Sequence, residues 1–126
     1  MKLLHRSTQL SLIIVVSFSS LAIAGKPKIE GTWNYEAQGT PIEYATGQIV
    51  ITKKDKSYNA TLYANFQTMT ATNVEVDKSE VSFRVYIEDI NVSITITVEG
   101  DSMTGKADTS EGSYLLSGNR KLAIPH

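Results

Sequence analysis

The residue types that do most enzyme chemistry are scarce in this chain. It has no cysteine and two histidines, His5 in an apolar leader and His126 at the last position. A thiolate nucleophile is absent, and one terminal imidazole supports neither a Ser-His-acid triad nor the usual nitrogen and sulfur ligands of zinc. The carboxylates fall mostly where turns are expected, at Asp55, Asp77, Glu88, Asp89, Glu99, Asp101, Asp108 and Glu111. Turns are the ordinary place for solvated charge, and no spacing pairs two of these on one inner face as glycoside hydrolysis requires. Asp108 to Glu111 is short of the oxygen ligands a calcium loop supplies. The reading is non-enzymatic, with no cofactor and no metal.

Aromatic residues carry the remaining chemistry. Tyr35, Tyr44, Tyr58 and Tyr114, with Leu62 and Phe83, form the candidate lining of an interior, because a phenol gives an apolar wall with a polar tip. The elements that hold them must be strands. After residue 25 no stretch of 11 or more residues places apolar side chains at helical spacing, whereas period-two alternation recurs throughout. From Ile90 to Val98 the residues Ile90, Val92, Ile94, Ile96 and Val98 share one face, opposed by Asn91, Ser93, Thr95 and Thr97. Val81, Phe83, Val85 and Ile87 repeat the pattern, and Glu88-Asp89 joins the two segments as a hairpin.

Eight strands are predicted, over 31–38, 45–53, 57–64, 67–76, 80–88, 90–99, 102–108 and 112–121. Polar, Gly and Asp residues fill the short turns, and all three prolines lie outside the strands. In the fourth strand Met69 and Ala71 are out of phase with Val74 and Val76, and a bulge near Thr72-Asn73 would reconcile them. Eight strands with one apolar face each and hairpin-length connections curl into an antiparallel up-and-down barrel, which leaves no free edge. The competing two-sheet sandwich needs longer crossing connections.

Lys2 and Arg6 precede an apolar run from Leu10 to Phe18, and Ala22-Ile23-Ala24 has the small-x-small form of a signal-peptidase site. A cleaved signal peptide is expected over 1–24 and one domain over 25–126. Ser17, Ser19 and Ser20 interrupt the run, so it falls short of a bilayer span. No Cys is present to take a lipid anchor. The expected location is a bacterial periplasm or the medium, with no membrane anchor. Without Lys2 and Arg6 the balance is 10 basic to 13 acidic residues, which removes the main support for nucleic acid as a partner.

Gly31-Thr32-Trp33 opens the first strand and Ser117-Gly118-Asn119-Arg120-Lys121 closes the last. This pair resembles the calycin superfamily of lipocalins, fatty-acid-binding proteins and avidins, and within it the small exported bacterial lipocalin-like proteins. The resemblance implies that Trp33 packs beneath Arg120 and closes one end of the barrel. By chemistry alone a guanidinium over an indole is favourable and ties the first strand to the last, with Gly118 expected to leave room for Trp33. The alternative is a core tryptophan and an unrelated surface arginine.

Two interiors fit the pattern. Small residues at Gly47, Ala60, Ala64, Ala71, Gly105 and Ala107 either leave a cavity for a small apolar or amphipathic molecule or let a narrow barrel fill itself. Ile42 and Tyr44, in the connection from Gly39 to Gly47, serve either as a lid or as the anchors of a packed loop. Outward Val50, Tyr63, Tyr86 and Leu115 mark a homo-oligomer surface if they are contiguous. The alternative function is a protein-binding module such as a periplasmic protease inhibitor, with Gly25-Lys26-Pro27-Lys28 as an extended arm, or an oligomeric structural barrel.

Overall fold

A computed structural model describes residues 28–122. The signal peptide expected over 1–24, most of the 25–28 arm and His126 lie outside the described residues. Nine antiparallel strands follow one another: β1 (Gly31–Ala37), β2 (Thr46–Lys54), β3 (Ser57–Ala64), β4 (Gln67–Thr70), β5 (Thr72–Asp77), β6 (Glu80–Ile87), β7 (Ile90–Glu99), β8 (Ser102–Thr109) and β9 (Gly112–Arg120). They form a single sheet in the order β4-β3-β2-β1-β9-β8-β7-β6-β5, a nearly closed up-and-down barrel. The alternation that predicts strands also sets their burial. In β7, Val92, Ile94, Ile96 and Val98 are buried, and Asn91, Thr97 and Glu99 are exposed.

The count of eight strands is corrected to nine, because the segment 67–77 is two strands. β4 pairs with β3, and the amide of Ala71 still donates to Ala60 O at 3.0 Å. β5 pairs instead with β6, with a register shift between Thr72 and Glu75. Asn73 has a φ of 53°, a backbone state that Asn tolerates better than most residues, and it turns the chain from one partner to the other. The irregularity expected at Thr72-Asn73 is there, and it ends one strand as well as shifting the phase. Met69 faces inward before it, and Val74 and Val76 are half-buried after it.

Two-residue loops at Asn65-Phe66 and Glu88-Asp89 hold both residues at positive φ, the twist that suits a tight antiparallel hairpin. Since each hairpin reverses the chain, the connection 38–45 and the turns 65–66, 88–89 and 110–111 all reach one rim. The turns 55–56, 78–79 and 100–101 reach the other. The core fills the barrel between them. Trp33, Val81 and Ile96 are 0 % exposed, and among the described residues no charged or non-aromatic polar residue is buried.

Candidate functional site

The two ends of the barrel differ. At the end where β1 begins, Trp33 stands opposite Arg120 in the pairing of β1 with β9. The Arg120 guanidinium carbon lies 4.2 Å from the centroid of the Trp33 ring, at stacking distance. Arg120 donates to Glu30 O at 2.5 Å, Lys28 O at 2.7 Å, Gly100 O at 3.3 Å and the Asp101 carboxylate at 3.0 Å. The indole N–H donates to Ile29 O at 3.1 Å, and Ile29 is itself buried. One side chain thus ties the segment 28–30 and the β7–β8 turn to the end of β9, and this rim is sealed.

The glycine that makes room is Gly31, whose φ is 143°. A Cβ there would lie 2.6 Å from the Arg120 Nη1. The expectation that Gly118 leaves space for Trp33 is corrected, because a Cβ at Gly118 would meet Asn34 O and Met103 Cε.

The opposite end holds a cavity of about 150 Å³. Of the six residues expected to line an interior, Tyr35, Tyr44, Leu62 and Tyr114 do line it. Phe83 is packed in the core with 2 % of its surface exposed. Tyr58 is half-buried near the sealed rim, with the Lys53 ammonium 5.3 Å from its ring centroid. Alternation places Tyr58 and Phe83 on the inner side but does not say how deep they sit along the barrel axis.

Ala107, one of the small residues expected to leave space, lines the cavity, and the sequence reading missed Glu88, Glu111 and Ile94 as lining residues. The signal for the two glutamates was present: counting strands brings alternate hairpin tips to one rim, which puts both turns beside Tyr44.

A short 3-10 turn, Ile42–Tyr44, decides between lid and anchor. With about three residues per turn, side chains two apart diverge, so Ile42 and Tyr44 do not share a direction. Tyr44 is buried on the cavity and Ile42 is 85 % exposed. Tyr35 donates its hydroxyl hydrogen to Tyr44 O at 3.1 Å and holds the turn in place. Gly47, opposite Tyr35 on β2, lets that ring lie against the strand, since a Cβ there would be 2.8 Å from Tyr35 Cε2. The outward residues Val50 and Tyr63 sit on the adjacent strands β2 and β3, whereas Leu115 lies on β9 and Tyr86 on β6.

Two solved structures are similar to this chain. A redesigned β-barrel matches with 12 % identity and a TM-score of 0.55, over 75 % of this chain and 91 % of its own. A variant of the fluorescent protein UnaG matches with 11 % identity and a TM-score of 0.50, over 75 % of this chain and 97 % of its own. The likeness is one of fold. No protein-family model matches the sequence, and comparison with curated proteins finds no match either.

Burial, and then the neighbouring Tyr44 phenol, push the Tyr35 hydroxyl from its ordinary value of 10.0 up to about 12. The folded state therefore favours the neutral phenol. The stability this carries is complete below pH 10 and is lost as pH rises through 12. Urea titrations across that window are expected to show a falling midpoint, and Tyr35→Phe is expected to flatten the fall. An unchanged slope in the variant would contradict a buried Tyr35 hydroxyl.

Proposed function

We propose that this chain is a non-enzymatic, exported lipocalin-like barrel that binds a small apolar or amphipathic molecule at its open end. The observation that carries the reading is the asymmetry of the interior. A continuous core and the Trp33–Arg120 seal fill one end, while the other retains a cavity of about 150 Å³ walled by Tyr35, Tyr44, Leu62, Ile94 and Tyr114. A space of about that size is enough for a benzene-sized guest. The inner part of the ligand is accordingly one ring or a short alkyl chain, with any polar part at the rim.

The Gly31-Thr32-Trp33 and Arg120 constellation supports the lipocalin-like assignment. Export rests on the leader over 1–24, and its observable is a mature N-terminus at Gly25.

Ala107 provides the test. It is buried, lines the cavity and stands between Ile94 and Tyr114 across the sheet. Ala107→Leu puts three carbons into space the wild type leaves empty. Calorimetric titration with toluene is expected to show saturable binding to the wild type and at least about a tenfold loss in the folded variant. Absence of binding to the wild type would overturn the proposal, and equal binding to both would place the site elsewhere.

A further inference from the structure

The two rims of the barrel differ in their basic residues. The connections at the open rim, over 37–46, 64–67, 86–91 and 108–113, carry Glu43, Glu88, Asp89, Asp108 and Glu111 and no Lys or Arg. Asp108 is engaged, since it accepts from Ser113 Oγ and pairs with Lys106 at 3.7 Å. The other ion pair among the described residues is Arg120 with Asp101 at the sealed end, so Glu43, Glu88, Asp89 and Glu111 have no cationic partner there. Lys28, Lys53, Lys54, Lys56, Lys78, Arg120 and Lys121 lie toward the sealed end, where Glu30, Asp55, Asp77, Glu80, Glu99 and Asp101 offset them. Arg84 and Lys106 are exposed mid-strand in β6 and β8, so the open rim alone is acidic without basic residues. Such an arrangement gathers cations at the mouth and repels anions.

A second, independent observation comes from inside the cavity. Tyr44 is 8 % exposed and lines the space, and its hydroxyl, out of contact with solvent, has no hydrogen-bond partner. A buried polar atom left unpaired is costly, and a guest that bonds it removes that cost. The phenol oxygen accepts from an N–H, and Tyr35, Tyr44 and Tyr114 turn aromatic surface toward the same space. Glu88 and Glu111 line the cavity as well, so carboxylates stand where its apolar walls end.

From these observations we infer that the ligand is a small organic ammonium ion: one ring or short alkyl group seated inside, and a positive nitrogen at the mouth between tyrosine faces and the Glu88 and Glu111 carboxylates. The inference deepens the proposed function and rests on it.

The test compares three probes of one shape: phenethylammonium, neutral 2-phenylethanol and anionic 3-phenylpropionate, titrated calorimetrically into the full domain at low salt. The cation is expected to bind about tenfold more tightly than the alcohol and the anion at least about tenfold more weakly. Added salt should narrow the gap. The double substitution Glu88→Gln and Glu111→Gln, in exposed turns, is expected to bring the ratio of cation to alcohol affinity near one. Equal binding of all three, preference for the anion, or a ratio untouched by the double substitution would overturn the ammonium assignment while leaving the binding function in place. Binding of none would overturn both.

Discussion

Ile96→Asp is expected to leave no folded protein at ordinary temperature. Ile96 is 0 % exposed and lies between Val81 on β6, also 0 % exposed, and Gly105 on β8. Among the described residues no charged or non-aromatic polar residue is buried in the core to receive a carboxylate. The residue must either bury its charge or enter the fold protonated with its hydroxyl and carbonyl unpaired. Both cost several kcal/mol against a total stability of about 5 to 15 kcal/mol, and the isoleucine packing is lost in addition. Thr97→Asp, one position along on the exposed face of β7, should melt like the wild type. Circular dichroism melts of the two variants decide the matter. A cooperative, wild-type melt for Ile96→Asp would mean that the inner and outer faces of β7 are reversed.

Arg120→Lys is expected to lower stability by about 2 kcal/mol while leaving ligand affinity unchanged. Lysine keeps the charge and can still approach Asp101, but a tetrahedral ammonium has no flat face to lay on Trp33 and no fork to span Glu30 O and Lys28 O. The stack contributes about 0.5 to 2 kcal/mol, and the charge-assisted bonds to carbonyls add to it in part, because water reaches the freed oxygens. The cavity lies at the other rim and shares no residue with this cluster. Urea titration beside a toluene titration of the folded protein separates the two effects. Loss of affinity at unchanged stability would move Arg120 from the seal into the site.

Much of the barrel was legible in the sequence because one face of each strand is wet. From Ile90 to Val98 every second residue is aliphatic and the others are Asn, Ser or Thr, so period and facing can be read together. The split of 67–77 was not legible to the same degree. A phase change between Ala71 and Val74 announces an irregularity, but it does not say that the hydrogen-bond partner changes from β3 to β6.

The site shows the same limit. Parity placed Tyr35, Leu62 and Tyr114 inward, and it placed Tyr58 and Phe83 inward too, although depth along the axis removes those two from the cavity. Ile42 and Tyr44 looked equivalent as an alternating pair, and the 3-10 turn separates them. Trp33 and Arg120 meet as the resemblance implied, yet the glycine that admits the guanidinium is Gly31. The space above a strand depends on what crosses it, which here is a side chain from 89 positions further along the chain.

The central claim is that one end of this barrel is sealed and the other receives a small molecule. Amide and methyl NMR spectra recorded during a toluene titration test it most directly, because each end reports separately. Saturable shifts confined to the surroundings of Tyr35, Tyr44, Leu62, Ile94 and Tyr114, with Trp33, Ile29 and Arg120 unmoved, are the predicted result. No saturable shift, or shifts centred on Trp33 and Arg120, would contradict it.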